Sequence, residues 1–280
     1  LFLALPALLI LTPFVKMFPV GLGLKMLLAT TVLVSLIYFF LIPLLGLTKH
    51  KMRFAVITFL LSVMFGLGAH RHSSFSKEHP KPSSLLYVHD VDANTAKWAT
   101  YDKVCIDWNQ QFLSDQTAAP DDEITNTTIS SKYSTGFRAV AATQVKALSV
   151  PDIDVTRDTI VDKLRHLTVC FTPNRDVNRL EVFTNPIDLK QASVNNVELS
   201  EYYLANRRNG KLVTHYISNN EYTELELVID ENEELELTFF EASNDLLEHE
   251  LFSVPDRPEN SIPMPFVLND AILITKKIKL

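Results

Sequence analysis

Oxygen-bearing side chains recur at every second position early in the polar part of the chain. Asp90, Asp92 and Asn94 match the first three ligand positions of a calcium-binding EF-hand loop. Such a loop also needs glycine at its sixth position and a bidentate glutamate at its twelfth. Here those positions hold Thr95 and Tyr101. The pattern favours a polar turn, and a calcium-dependent adhesion domain is the weakest of the functional hypotheses.

A second stretch is similar to the helix motif of zinc proteases, in which two histidines on one helix face bind the metal. His249 and Glu250 are present, but Ser253 stands where the second histidine is required. The stretch therefore indicates a charged connection between strands. Three further histidines fall on or beside different predicted strands, and their spacing leaves open whether they meet: His89, His166 and His215.

Other catalytic patterns are not found in the sequence. The two glycines after residue 72, Gly136 and Gly210, form no phosphate-binding loop, and no Gly-x-Ser-x-Gly elbow occurs. Cys105 and Cys170 either pair as a disulfide or are two small buried side chains. Asn126 begins a glycosylation acceptor triplet. The sequence therefore predicts no catalytic, cofactor-binding or metal-binding residue in this chain.

Charge divides the 280 residues into two different parts. Residues 1–72 contain six lysines and arginines and no acidic residue, so all 33 acidic residues lie in the remainder. A basic, apolar first quarter is typical of a membrane region. The acidic remainder excludes nucleic acid as a partner, because nucleic-acid binding needs a basic surface.

Three apolar blocks occupy residues 1–72. Residues 26–47 carry no charge and are long enough to cross a hydrocarbon core of about 30 Å as a helix. Residues 54–69 form a slightly shorter block, and residues 1–15 look like the cut end of a longer span. We expect about three transmembrane α-helices in residues 1–72, the first one truncated. Basic residues in the link 48–53 place that link in the cytoplasm and residues 73–280 on the extracytoplasmic side.

A juxtamembrane linker is predicted over residues 73–83, where His79 and two prolines interrupt any regular element. Residues 84–88 and 96–101 predict the strands of a β-hairpin, with turn formers between them at 90–95. Apolar residues then recur at helical spacing up to Phe112, which predicts a short helix opening near Asp102. The hairpin and the helix fill residues 84–113, with Trp98 and Trp108 as core residues.

Residues 114–132 are rich in aspartate, threonine, serine and alanine and predict a loop. From Gly136 onward, short alternating strands fill the rest of the chain. Leu167, Val169 and Phe171 alternate with polar neighbours, and the same period recurs over 180–183, 224–229 and 234–239, which indicates strands with one wet face. Asn-Gly and Asn-Asn pairs separate them, and residues 271–280 read as a final strand. Residues 84–280 therefore predict a mainly β domain, an antiparallel β-sandwich with a short helix.

Particular residues carry a resemblance to a known family. The stretch "HPKPSSLLYVHDVDANTAKWATYDKVCIDWNQQFL", with its Trp-Ala-Thr-x-Asp and Asp-Trp blocks, resembles the region after the last transmembrane helix in membrane-bound zinc metallopeptidases of family 28. "LTVCFTPNRDVNRLEVFTNP" and the terminal "NDAILITKKIKL" are similar to the C-terminal β-domain of that family. The resemblance covers about the last 210 residues.

The resemblance implies a division of labour. In that family a separate domain binds two zinc ions and removes N-terminal residues from peptides, and none of its ligand motifs can be placed on this sequence. We therefore expect a membrane anchor and extracytoplasmic accessory domain of a zinc-dependent aminopeptidase-like enzyme. Zinc would belong to a catalytic domain outside this chain, and the partners would be the lipid bilayer and that peptidase domain. The alternative is a stand-alone membrane-tethered module that binds a peptide, a glycan or an envelope partner.

Overall fold

A computed structural model describes residues 4–22, 27–46, 49–113, 129, 131–133 and 135–280. It divides into two compact units, Leu1–Ser74 and Phe75–Leu280. The predicted loop at 114–132 and the glycosylation triplet at Asn126 fall largely or wholly outside the described residues.

The first unit contains three helices. They are α1 (Ala4–Leu22), α2 (Leu27–Gly46) and α3 (Lys51–Arg71), and α1 packs against α2. Among the described residues, α3 alone is long and apolar enough to cross a membrane, and none of its residues is buried. The apolar stretches in the other two helices, Leu5–Pro19 and Leu27–Ile42, are shorter. The described residues thus contain one candidate span. The total of about three spans and the side of the membrane on which residues 73–280 lie remain predictions.

The second unit is built mainly from β-strands. In chain order they are β1 (Lys81–Ser83), β2 (Leu86–Asp90), β3 (Thr95–Thr100), β4 (Ala139–Thr143), β5 (Asp152–Val161), β6 (Leu164–Thr172), β7 (Arg179–Thr184), β8 (Gln191–Val194), β9 (Val197–Glu198), β10 (Lys211–Tyr216), β11 (Thr223–Asp230), β12 (Glu236–Ser243), β13 (Ser261–Pro263) and β14 (Ala271–Lys279). Two short helices accompany them, α4 (Asp107–Gln110) and α5 (Glu201–Ala205).

Three sheets form from these strands. The order in the largest is β10-β7-β12-β14-β2-β3-β4, and in the second it is β5-β6-β11-β8-β9. All pairs in these two sheets are antiparallel except β14 with β2, and β1 pairs with β13 in parallel. The antiparallel prediction is therefore corrected to a mixed arrangement. The final strand, β14, lies between β12 and β2 in the middle of the seven-stranded sheet, and it runs parallel to β2.

One apolar core is shared by the two larger sheets. The predicted inward residues of β6 and β11, including Leu167, Phe171 and Leu227, pack with Val182 of β7 and Phe239 of β12. The rings of Phe171 and Phe239 stack with centroids 5.8 Å apart. The alternation prediction is confirmed for these strands, since a period of two places every second side chain on the buried face.

The seven-stranded sheet is covered on both faces, which contradicts the prediction of one wet face for β7 and β12. Leu86, Phe183, Phe240 and Leu273 lie in a second core on the opposite face. Glu181, expected in solvent, is 1% exposed there and forms ion pairs with Arg179 and Lys211 at 2.7 and 2.6 Å. A pattern along one strand cannot show that distant loops cover its polar side.

The predicted hairpin is confirmed, and its flanks are corrected. β2 pairs antiparallel with β3, so that Tyr87 faces Trp98. The short helix begins at Asp107, five residues later than expected, since the side chain of Asp102 is engaged in buried hydrogen bonds described below. The end of the predicted linker forms β1, whose backbone pairs with β13.

Asparagines supply the left-handed backbone at the predicted turns. Asn195, Asn196, Asn219 and Asn220 have φ between 47° and 64°. Asparagine tolerates this conformation better than other residues with a side chain. The asparagine turn signals in the sequence therefore mark tight turns in the structure.

Candidate functional site

The residues of the Trp-Ala-Thr-x-Asp block build a buried polar network. Four side chains take part: Ser84, Thr100, Asp102 and Asn109, each between 0% and 3% exposed. Asp102 Oδ1 accepts hydrogen bonds from the N–H and the hydroxyl of Ser84, both at 2.9 Å. Its Oδ2 accepts from Asn109 Nδ2 at 2.9 Å. The carboxylate of Asp102 thus joins the link between β1 and β2, which carries Ser84, to helix α4, which carries Asn109.

Each remaining polar atom of this network has a partner. Thr100 Oγ1 donates to the carbonyl of Ser84 at 2.7 Å, and the hydroxyl of Ser84 accepts from the N–H of Tyr101 at 2.9 Å. Asn109 Oδ1 accepts from the N–H of Ile106 at 2.9 Å, which caps α4. Buried polar groups that are fully paired specify a single local geometry. The block therefore serves as a structural clasp, in which the hydroxyl of Ser84 donates to Asp102 and accepts from the N–H of Tyr101.

Trp108 and Arg257 form a second buried cluster beside the clasp. Trp108 Nε1 donates to the carbonyl of Pro255 at 2.7 Å, and the guanidinium of Arg257 lies 4.4 Å from the Trp108 ring centroid. Arg257 also pairs with Asp270 Oδ1 at 2.5 Å. Burial raises the pKa of Asp270, and the arginine opposes that rise. Trp108 is confirmed as a core residue, and Trp98 is partly buried against Tyr87, with ring centroids 5.4 Å apart.

A buried ion pair lies on the face of the seven-stranded sheet that turns to the five-stranded sheet. Arg175 Nε is 2.5 Å from Glu241 Oε1, and the two side chains are 9% and 1% exposed. Arg175 also donates to Ser243, which donates in turn to Asp245. Burial raises the pKa of Glu241 to about 7, while the Arg175 guanidinium opposes the rise. This carboxyl is poised to change charge near neutral pH.

A cleft of about 340 Å³ lies on the outer face of the five-stranded sheet. Its polar lining comes from five strands and one turn: Arg157 of β5, His166 and Thr168 of β6, Gln191 and Ser193 of β8, Glu198 of β9, Glu226 of β11, and Asn196 between β8 and β9. The register brings them together, since Glu226 pairs with Thr168 on one side and with Ser193 on the other. The cleft is therefore a direct product of the strand alternation.

The chemistry of this cleft suits a polar, uncharged ligand. Ser193 donates to Glu226 Oε2 at 2.9 Å, which fixes the carboxylate at the cleft floor. Amide, hydroxyl, imidazole and guanidinium groups and a second carboxylate, that of Glu198, also line the cleft and provide both donors and acceptors. Such an arrangement can bind several hydroxyl or amide groups of one ligand.

The oxygen-rich turn is confirmed as a turn. Asp90 Oδ1 accepts from the N–H of Ala93 at 3.0 Å, and Asp92 Oδ2 accepts from the N–H of Lys277 at 2.7 Å. Asn94 has a left-handed backbone with φ of 49°. These side chains stabilise the turn and attach it to β14, so they are not arranged around a common point.

The four histidines singled out in the sequence lie on different parts of the fold. His166 lines the cleft, His215 is hydrogen-bonded to Thr223 at 2.8 Å, and burial lowers the pKa of His89 on β2. His249 lies in the connection between β12 and β13, as predicted. Within the described residues, no three His, Cys, Asp or Glu side chains are grouped as a metal site.

Both cysteines are free thiols of intermediate burial, so the disulfide alternative is wrong and the alternative of two buried side chains holds only in part. Burial, together with the charge of Asp102, raises the pKa of Cys105. Cys170 lies on the outer face of β6. A thiol with a raised pKa is a poor nucleophile, so Cys105 packs as a small apolar residue.

Sequence reasoning missed the cleft and the buried charges. Glu226, Ser193 and Thr168 were visible as the polar side of alternating strands, but their neighbours in space depend on the sheet order. Arg175 and Glu241 carry no local signal, because they are far apart in the chain and an isolated charge usually lies in solvent.

Comparison with known proteins gives no relative for this chain. No model of a known protein family matches it, and a search of curated proteins finds no match. The resemblance to family 28 metallopeptidases therefore stays a prediction.

Proposed function

We propose that this chain is the membrane anchor and the extracytoplasmic accessory β-sandwich domain of a zinc-dependent, aminopeptidase-like metallopeptidase. The catalytic domain would be a separate segment or subunit, and zinc would bind there. Peptides would be its substrates. In this proposal residues 1–72 cross the bilayer about three times and residues 73–280 lie outside the cytoplasm. The activity assigned to this chain is attachment and support.

The clasp at Asp102 is the observation that carries this proposal. The sequence block on which the resemblance depends is a set of interlocked buried side chains, and it fixes the hairpin, α4 and the loop holding Arg257 around one point. A shared fold after a membrane segment is what the family resemblance implies.

The first unit supports anchoring. Every residue of α3 is at least partly exposed, and from Phe54 to Ala69 its side chains are apolar on all sides apart from the hydroxyls of Thr58 and Ser62. A helix that is apolar on all sides needs either a protein interior or lipid. Lipid would cover it without any further partner.

Isolation of the native protein tests the proposal. An antibody against residues 75–280 would be used to purify it from detergent-solubilised membranes of the source cells. We expect material that resists carbonate extraction, contains zinc and releases N-terminal residues from peptides until a chelator is added. A product of 31.7 kDa without zinc or peptidase activity would refute the proposal.

A second candidate function follows from the cleft. The module would bind a neutral oligosaccharide through Glu226, Ser193 and Gln191 on the outer sheet face. The cleft is polar, partly open and lined from five strands, which is the form that suits hydroxyl-rich ligands. This candidate requires no peptidase partner.

Substitution in the cleft tests the second candidate. On an oligosaccharide array, the purified full chain is expected to bind, and Glu226→Gln with Ser193→Ala is expected to weaken binding about tenfold or more. Glu224→Gln is the matched control, because Glu224 lies on the same strand and points to the same side but does not line the cleft. Equal loss in the control, or no binding by the parent chain, would contradict it.

A further inference from the structure

An exposed aromatic pair on the β-rich unit is accompanied by a lysine. The rings of Tyr133 and Phe266 are in edge-to-face contact with centroids 5.2 Å apart, although the two residues are 66% and 56% exposed. The ammonium group of Lys132 lies 5.6 Å from the first ring and 5.1 Å from the second. The N–H of Lys132 donates to the carbonyl of Phe266 at 2.9 Å. We call these three residues the aromatic cluster.

The backbone at Phe266 is unfavourable for a bulky residue. Its φ is 66°, in the left-handed region where a side chain crowds the following carbonyl. Strain of this kind persists where another interaction compensates for it. More than half of Phe266 remains in contact with water, so burial within the chain gives little compensation. A surface that covers the ring would provide it.

The β1–β13 ribbon joins the segment that carries Phe266 to the first residues of this unit. Lys81 pairs with Ser261 in the β1–β13 ribbon, and Phe266 follows Ser261 by five residues, at most about 17 Å of extended chain. Phe75 is the first residue of the unit and is 54% exposed, with the Lys81 ammonium 5.8 Å from its ring. The helix α3 ends only a few residues earlier, at Arg71.

We propose that the aromatic cluster is a contact with the lipid bilayer, with the rings at the headgroup level and the lysine reaching the phosphates. Tyrosine favours this level, and phenylalanine is an apolar side chain that enters the boundary between headgroups and acyl chains. A lysine can keep its charge there while its carbon chain stays in apolar surroundings. A span ending at Arg71 holds the unit near the membrane, so even a weak contact forms at high effective concentration. The inference rests on the membrane anchoring proposed above and adds a defined face to it.

Depth-dependent quenching of tryptophan fluorescence tests the contact. The full chain would be placed in phosphatidylcholine nanodiscs with and without bromine on the acyl chains near the headgroups. Relative to the parent chain, the added emission of Phe266→Trp is expected to fall about twofold in the brominated discs. Tyr202→Trp is the matched control, since Tyr202 is 79% exposed on α5 and outside the aromatic cluster. Its emission is expected to stay unchanged.

A second pair of variants separates contact from folding. Asparagine tolerates the left-handed backbone, so Phe266→Asn is expected to fold. Tyr133→Trp alone should be quenched, and the double variant with Phe266→Asn should lose at least half of that quenching. Equal quenching of both Tyr133→Trp proteins would overturn the proposal.

The remaining outcomes are distinguishable from failure of the anchoring. If the chain leaves the discs on carbonate treatment, the proposed membrane anchor itself is wrong. If the chain stays but Phe266→Trp is not quenched, or is quenched no more than Tyr202→Trp, the anchor stands and the aromatic contact is overturned.

Discussion

Replacing Asp102 with alanine is expected to lower the free energy of unfolding of the β-rich unit by about 3–5 kcal/mol. The substitution removes the acceptor for the N–H and hydroxyl of Ser84 and for Asn109 Nδ2, and all of these groups are buried. Each unpaired buried donor costs about 1–3 kcal/mol. Urea unfolding of the full chain, followed by tryptophan fluorescence, measures the loss, because Trp98 and Trp108 both pack near the clasp.

Two variants calibrate that result. Asp102→Asn keeps the shape of the side chain but places an amide N–H against Asn109 Nδ2, which is also a donor. We therefore expect its loss of unfolding free energy to be smaller than that of Asp102→Ala and larger than that of an exposed substitution. Asp107→Asn changes an exposed carboxylate at the start of α4 and is expected to cost less than about 0.5 kcal/mol. If Asp102→Ala and Asp107→Asn were equally stable, the clasp would not be the structural centre that we infer.

Only part of the clasp could be predicted from the sequence. The hairpin that carries Thr100 was predictable, because β-prone stretches flanked a run of turn formers. The helical pattern near Asp102 was misleading, since apolar residues at helical spacing also occur in an irregular segment that crosses a core. The hydrogen bonds of Asp102 compete with helix formation, and they depend on Ser84 from another strand.

The same limit explains the buried charges. Alternation predicted which side of β6 and β11 is apolar, and there the polar side does reach the surface and forms the cleft. On β7 the alternation was equally regular, yet Glu181 is buried under a second core. A single strand shows its period but does not show how many layers pack against it. Buried carboxylates such as Glu241 therefore become visible only when the layers are assembled.

Glu241 is expected to make stability depend on pH between about 4.5 and 7. Its pKa is raised from 4.5 to about 7 in the folded chain, so folding favours the protonated carboxyl. Its stabilising contribution is complete below the pKa of the unfolded chain and is lost as the pH rises through the folded value. The free energy of unfolding of the parent chain, relative to Glu241→Gln, should fall by about 3 kcal/mol over this interval.

Urea titrations of both proteins at a series of pH values measure that difference. Glu234→Gln is the matched control, since Glu234 is exposed, and its substitution should change the free energy of unfolding by less than about 0.5 kcal/mol. The opposite slope, with Glu241 more stabilising as the pH rises, would mean that attraction to Arg175 outweighs burial. The sign of the change in unfolding free energy with pH therefore decides whether burial or the attraction to Arg175 controls the charge of Glu241 on the inner face of the sheet.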